Sequence, residues 1–550
     1  MKIPSVKFYT PQFKAHSYKI EPKYCYITIQ TDNNPNLGEN PYLVYDYLGR
    51  QEVEMKKENG LYSAEVHSAP WQKDFKYHIK YQDTGALDLK DGKEYSLNFD
   101  ELRMESIALL RKQHRQPMVQ FFKSGSAVGK VLYQDIIEYD EIENNIKEPS
   151  IIVCKRPVTG CINNPNVVGL ILLSDDTGTL SHLGAMLRNS TKICAAVYDM
   201  KVIKQLQALN GQNIEMEVKN DYINFAKSDK IPMPMTYPTI KVPKLKYSDK
   251  ILTSDEYTLD LVGAKAVNLR RLEKLVNDGK IDVKIPKSIA LTHGYIQKLF
   301  DENEEQRESY EERKDVYLCK EAAYAPYCEK QCEERMSDLI ETLRKNGIDN
   351  KLLMVRSAFN GEDLPDYSAA GIYDSTLAYV EPEDLYNSII RVAQSKWGYK
   401  AIFSRKKYGI PDDAIQPTVV LQNYIKPDYK FTLYTDYEDN KLRLELYSDN
   451  IWRGHEAHQP NVFTYDKKTG ELTYDSVQLV EPQVTYDENL NVKEMQPLKY
   501  NLSGKPEVFE LIQKLIDSSL VIEKEFGAPQ DIEGGFAGNE VYLWQTRNIV

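Results

Sequence analysis

Tryptophan, cysteine and histidine are scarce, with four, seven and eight residues in a chain of 550. The cysteines, at 25, 154, 161, 194, 319, 328 and 332, are odd in number and irregularly spaced. That pattern argues against a disulfide framework and sets the expectation of a reduced, cytoplasmic protein. Cys328 and Cys332, with Cys319 nearby, have no close histidine or fourth cysteine, so they are expected as thiols on a charged helix rather than as a metal site. No run approaches the roughly 18 consecutive apolar residues of a membrane helix, and Pro4, Lys7 and Pro11 interrupt the start where a secretory segment would lie. No membrane partner is expected. Basic clusters are also missing: 70 Lys and Arg stand against 82 Asp and Glu, a net charge of −12, which argues against nucleic acid as a partner. No internal repeat or low-complexity tract interrupts the chain.

What is present is an ordinary globular composition, 41% hydrophobic and 28% charged, long enough for about three domains. Tyrosine is abundant at 39 residues, a composition that suits carbohydrate stacking. Residues 1–105 read as short alternating strands, among them Tyr24–Ile29, Tyr42–Tyr45, Leu61–Val66 and Phe75–Tyr81, separated by turn signals such as Asn59-Gly60 and Asp91-Gly92. This is the pattern of a β-sandwich, and Tyr62, Trp71 and Tyr77 could stack on sugar rings or fill its core. Residues 106–122 read as a helical connector. A mixed α/β unit follows over 123–228. Pro232, Pro234, Pro238 and Pro243 make 229–247 an extended linker, and 248–550 forms a last, larger domain. The charged run Asp301–Lys314 reads as a solvated helix or insertion.

Within the α/β unit the apolar run Val167–Leu173 is expected as a buried strand. After it comes Thr177-Gly178-Thr179-Leu180-Ser181-His182-Leu183-Gly184-Ala185-Met186-Leu187-Arg188-Asn189. Ser181 is an N-cap candidate, placing His182 in the first turn of a short helix whose free N–H groups and dipole favour an anion on the ring. A histidine there is ordinarily a capping or surface residue. In the last domain three stretches stand out: Gly263-Ala264-Lys265-Ala266-Val267-Asn268; Met354-Val355-Arg356-Ser357-Ala358-Phe359-Asn360-Gly361-Glu362-Asp363-Leu364; and the C-terminal pair Gly527–Gly534 and Val541–Arg547. The last pair reads as two strands with alternating polar positions, of which Asp531, Glu533 and Gln545 carry oxygens suited to Mg²⁺.

These segments together resemble the dikinase family, the group of phosphoenolpyruvate synthase and pyruvate phosphate dikinase. Within it the Leu-Ser-His opening and Arg-Asn ending lie nearest the α-glucan water dikinases. The resemblance spans the phosphohistidine segment, the Gly-Ala-Lys start, the Val-Arg-Ser…Glu-Asp-Leu segment and the C-terminal strands. It implies a multidomain α/β and α+β protein: an N-terminal β-sandwich, a swivelling β/β/α phosphohistidine domain and a C-terminal ATP-grasp-like nucleotide-binding domain. It implies His182 as nucleophile with Arg188, Arg356 and Arg547 as catalytic partners. It places Lys265, Arg356, Glu362, Glu533, Gln545 and Arg547 around ATP, and Asp531, Glu533 and Gln545 at Mg²⁺. In the implied cycle ATP pyrophosphorylates His182, AMP leaves, the γ-phosphate passes to water and the β-phosphate to an α-glucan of starch or glycogen type.

Pyruvate-using relatives need a further barrel of roughly 250 residues, which this sequence does not contain, so pyruvate would require a partner domain. A small-molecule acceptor, as in rifamycin phosphotransferases, and a non-catalytic glucan-binding protein are the other readings. The sequence departs from the family at Ser448–Phe463, where Trp452-Arg453-Gly454-His455-Glu456 stands in place of a Leu-Gly-Glu loop. It departs again at Ala358, usually serine, and at Asn548, where glucan enzymes have proline. Oligomeric state and the sugar carbon modified are not encoded in any motif.

Overall fold

The computed structural model describes residues 16–21, 26–32, 36–47, 49–67, 73–113, 115–134, 146–155, 161, 164–173, 184, 187–188, 190, 192–219, 222–301, 329–364, 367, 369, 371–438, 440–448, 460–476, 483–495 and 502–549. His182, Trp71, the 302–328 stretch and the 449–459 stretch therefore lie outside the described residues, as do Cys25, Cys319 and Cys328. Cys154, Cys161 and Cys194 are buried.

Two antiparallel sheets close on one core in the N-terminal part. One contains Ser17–Glu21, Tyr26–Asp32, Leu61–His67 and Lys56–Glu58; the other contains Arg50–Glu54, Pro41–Asp46, Asp74–Tyr81 and Leu87–Asp88, with Tyr95–Asn98 also paired to Asp74–Tyr81. Alternation along each strand turns Ile20, Ile27, Ile29, Phe75, Tyr77 and Ile79 inward, as a period of two requires. Tyr77 is thus a core residue, fully buried, its hydroxyl donating to Tyr18 Oη at 2.9 Å; the expected sugar-stacking option does not hold for it. Tyr62 packs on the flank of the same core. The first sheet is completed by strands from far along the chain, Val484–Tyr486 and Val492–Met495, the former pairing antiparallel with Ser17–Glu21.

The helix Phe99–Gln113 carries Asp100 and Glu101 in its first turn and Arg111 and Lys112 in its last, complementing the helix dipole. It ends earlier than the sequence pattern indicated, just before Pro117, and Val119–Lys123 is a strand paired with Ile193–Val197. Nor is the helix a bare connector. Phe99, Leu102 and Leu110 enter the N-terminal core, while Ile107 and Met104 enter the two cores of the next unit.

That unit is a seven-stranded sheet ordered Val119–Lys123, Ile193–Val197, Val167–Leu173, Ser150–Cys154, Gly125–Tyr133, Asn213–Lys219, Tyr222–Lys227. Its four central strands, from Ile193–Val197 to Gly125–Tyr133, run parallel. Val167–Leu173 is buried at every position, because each face carries its own core, the condition under which strands read as continuous apolar runs.

Residues 229–247 form no helix or strand, yet they are bonded at both ends. Met235 N donates to Pro165 O at 2.9 Å on one side, and Ile240 N to Tyr408 O at 3.0 Å on the other.

The remainder holds two further antiparallel sheets. One has Ile251–Thr253, Ser288–Leu291, Val419–Asn423, Leu352–Ser357 and Ser375–Tyr379 in order; the other has Leu472–Ser476, Asn461–Asp466, Lys441–Ser448, Tyr429–Glu438, Gln530–Ala537 and Glu540–Asn548. Helices Glu329–Lys345 and Pro382–Gln394 cover the first, and Ala264–Asn277 with Pro506–Phe526 cover the second.

Candidate functional site

The site lies where these two sheets and the start of the helix Ala264–Asn277 meet. On the second sheet, Asp531 stands opposite Arg547 and Glu533 opposite Gln545 in the register of the last two strands. Alternation sends the intervening Ile532 into the core, so the four polar side chains share the other face. The neighbouring strands extend that face in two rows: Asp531 pairs with Tyr434 and then Arg443, and Glu533 with Thr432 and then Glu445. Gly534 marks a register shift after Glu533. A side chain there would overlap the Tyr542 carbonyl and the Phe431 ring, so only glycine lets the strands approach.

From the first sheet comes Arg356, whose Nη2 donates to Gln545 Oε1 at 2.6 Å. From the helix start comes Lys265, whose Nζ lies 2.6 Å from Glu362 Oε2 and 3.3 Å from Ser357 Oγ. Glu362 is 3% exposed; its other oxygen accepts from Phe359 N at 2.8 Å, and it orients Lys265. Gly263, just before the helix, touches the Ala358 and Phe359 carbonyls so closely that any Cβ would collide with both. This contact brings Lys265 and the Arg356 strand together. Asp363 adopts a left-handed φ of 53°, backbone strain of a kind that clusters at functional sites.

Arg547 donates to Asp531 Oδ2 through Nε at 2.9 Å and Nη2 at 2.6 Å, and through Nη2 to Glu533 Oε1 at 3.2 Å. Burial pulls its guanidinium down, but Asp531, Glu533 and Asp363 more than offset this and raise it above its ordinary value. Burial pushes the Asp531 carboxyl up to about 6, against the opposing pull of Arg547. Burial lowers Arg356 and raises Asp363, and each senses Glu533, Glu362 and Arg547.

Three cations thus converge on a shielded cleft, an arrangement able to neutralise a polyphosphate and, with planar guanidiniums, to clamp it. Among the described residues no three His, Cys, Asp or Glu side chains cluster as a metal site. The oxygen donors are instead Asp531, Glu533 and the Gln545 amide, and two buried atoms, Asp531 Oδ1 and Asp363 Oδ2, lack a partner among the described residues. This donor set fits Mg²⁺, which takes one or two carboxylates and completes its shell with water and substrate phosphates.

The seven-stranded unit reaches the same sheet. Its Arg188 lies with the guanidinium carbon 4.0 Å from the ring centre of Tyr437 and 5.1 Å from that of Tyr434. Tyr434, Tyr437, Arg443 and Glu445 carry no family motif, and the sequence reading missed them. The alternation over Lys430–Tyr434 and Arg443–Tyr447 was the available signal, but it only has meaning once those strands are known to flank Asp531.

Polar faces of two antiparallel sheets thus meet through Arg356 and Gln545, with Arg188 of the α/β unit set against one of them. Residues 259–550 match the family model for the pyruvate phosphate dikinase AMP/ATP-binding domain, and the chain belongs to that dikinase family. Residues 119–232 match the model for the phosphohistidine-like domain of alpha-glucan water dikinase. The chain is 25% identical over 498 residues to alpha-glucan water dikinase 1, chloroplastic, of Arabidopsis thaliana, covering 80% of this chain and 33% of that protein. It is 21% identical over 488 residues to the alpha-glucan water dikinase, chloroplastic, of Solanum tuberosum, covering 80% and 32%. A probable phosphoenolpyruvate synthase of Archaeoglobus fulgidus is 26% identical over 202 residues, 36% of this chain and 26% of the relative. The chain spans about a third of the length of the water dikinases it matches.

Proposed function

We propose that the protein is an ATP-dependent dikinase of glucan, water type, in which an ATP-grasp-like C-terminal domain loads a swivelling phosphohistidine domain. A His182 ring nitrogen attacks the β-phosphorus of ATP. The bond from that phosphorus to the oxygen shared with the α-phosphate breaks, and AMP leaves with the electron pair. Water takes the γ-phosphoryl group and inorganic phosphate departs. The phosphoryl group left on His182 passes to a hydroxyl of an α-glucan, whose proton goes to solvent.

In this reading Lys265, Arg356 and Arg547 bind and orient the polyphosphate, Glu362 holds Lys265, and Asp531 holds Arg547 in a fixed attitude. Positioning and charge neutralisation of this sort account for most of phosphoryl-transfer catalysis. Glu533 and Gln545 would hold Mg²⁺, which would supply further neutralisation of phosphate charge. The observation that carries the proposal is the seating of Arg188, six residues after His182, against the strand that pairs with Asp531.

The two-sheet N-terminal unit, read as a β-sandwich, is the proposed sugar-binding module. Its support is a surface cluster of rings, with Tyr26 and Tyr47 each edge-on to His67. The test is release of AMP and phosphate from ATP labelled at the β-phosphate, with and without glucan, in wild type and His182→Ala. Labelling of wild type alone, discharged by glucan, is expected. AMP release that survives His182→Ala overturns the mechanism, and label that no glucan discharges overturns the acceptor.

A further inference from the structure

On a regular strand, residues three apart point to opposite faces, yet Tyr434 and Tyr437 both pack against Arg188. The reason is a register irregularity between Tyr434 and Glu438: four steps along this strand oppose two on its partner, from Arg443 to Lys441. Bulges of this kind re-aim side chains and recur beside active sites. The re-aimed ring also meets Phe121 of the α/β unit at 6.2 Å and lies 4.8 Å from the Arg443 guanidinium carbon. Arg443 is itself held by Glu445, which is fully buried, at 3.0 Å.

We propose that Tyr437 is a positioning residue for loading: it seats Arg188 so that the phosphohistidine unit is docked at the nucleotide cleft while His182 is pyrophosphorylated, and releases it before the second transfer. This rests on the dikinase reading above. Cation–π attraction suits such a seat. It is strong when the ring and guanidinium are desolvated together. The docked contact serves only the step in which the bond from His182 nitrogen to the β-phosphorus forms and the bond to the AMP oxygen breaks. Discharge to an acceptor takes place with the seat empty.

The variants are Tyr437→Ala, Tyr437→Leu, which keeps apolar packing against Phe121, and Tyr437→Phe, which keeps the ring. Single-turnover AMP release without acceptor is expected to slow by about 3- to 30-fold in the first two and to stay within about 2-fold in the third, as a desolvated cation–π contact implies. The Kd for ATP, and the discharge rate of His182 loaded beforehand, are expected to stay at wild-type values in all three. Loading at the wild-type rate in both Tyr437→Ala and Tyr437→Leu overturns the proposal, as does an equal loss in loading and discharge. Small-angle X-ray scattering of the full chain reads docking without catalysis: a larger radius of gyration in Tyr437→Ala supports the seat and an unchanged one overturns it. A wild-type protein that never labels His182 defeats the dikinase reading instead, and the scattering comparison still decides the seat.

Discussion

The Ser106 and Tyr486 hydroxyls stand 2.7 Å apart in a buried contact between residues 380 positions apart in the chain. Ser106 belongs to the helix that follows the N-terminal sheets, and Tyr486 to a hairpin that leaves the nucleotide-binding domain and joins the first of those sheets. The N-terminal unit is therefore bonded to both of the others. The helix ties it to the α/β unit through the buried Lys155–Asp100 pair at 2.5 Å and through Arg111, whose guanidinium carbon lies 3.7 Å from the Tyr198 ring centre. Tyr486→Phe removes the short contact with Ser106 and a longer one to the Leu102 carbonyl at 3.4 Å, while Ser106 keeps that carbonyl at 2.7 Å, so a loss of about 1 kcal/mol is expected. Tyr486→Ala empties a core site and is expected to cost about 3–5 kcal/mol, the range for large aromatic truncations. Urea unfolding followed by a probe in the N-terminal unit measures both.

Lys265 and Glu362 separate stability from binding. Lys265→Met leaves a buried carboxylate without its cation and is expected to destabilise the domain by about 3–5 kcal/mol. The double variant Lys265→Met with Glu362→Gln is expected to recover most of that stability without recovering affinity for ATP. Thermal unfolding and calorimetric ATP titration of the three variants make the check. Recovery of both properties together would show that Lys265 serves the fold alone.

Arg547 engages Asp531 through two nitrogens and Glu533 through one of them, a geometry that lysine cannot copy. Arg547→Lys is expected to lower the rate of AMP release by about 10³-fold or more, as for other arginines that stabilise transferring phosphoryl groups. Glu533→Gln is expected to raise the Mg²⁺ concentration needed for half-maximal rate by at least about 10-fold, and chelation of Mg²⁺ is expected to stop AMP release in the wild type.

The linker contributes a pH dependence of stability. Lys192 is fully buried, its ammonium donating to Asn164 O at 2.6 Å, Val167 O at 2.5 Å and Tyr237 Oη at 3.0 Å. Burial, then repulsion from Lys407, lowers it to about 7, with Cys194 and Cys161 opposing; burial lowers Lys407 to about 8. Unfolded, each would titrate near about 10.4. Between about 7 and 10.4 the folded state therefore holds fewer protons than the unfolded state at Lys192, and stability rises with pH across that window. Relative to Lys192→Met, the wild type is expected to gain about 1–2 kcal/mol between pH 7 and pH 9. A stability difference that does not move with pH in paired urea titrations contradicts this.

Much of the nucleotide cleft was legible because its residues sit in local patterns. The period of two over Asp531–Glu533 and Gln545–Arg547 put the polar groups on one face before any partner strand was known. Tyr77 could not be sorted between surface and core from its strand alone, since a sheet closed against another buries one face and alternation does not say which. Phe122 was read as helical by extension of the irregular helical register of Leu102, Ile107, Leu109 and Leu110. The Pro117 turn and pairing with Ile193–Val197 override that register.

Composition and local periodicity alone determined that this chain is multidomain, where a buried apolar strand lies, and that Asp531, Glu533, Gln545 and Arg547 share one face of two strands. These are properties of neighbours within a strand or a helical turn, whose geometry is set by backbone dihedrals. The tertiary structure alone decided that Arg188 rests on Tyr434 and Tyr437, that a hairpin from beyond residue 480 completes the first sheet, and that Glu362 serves Lys265. Each of these joins segments tens to hundreds of residues apart through contacts only a few ångströms long, and no local pattern records which distant surfaces will meet.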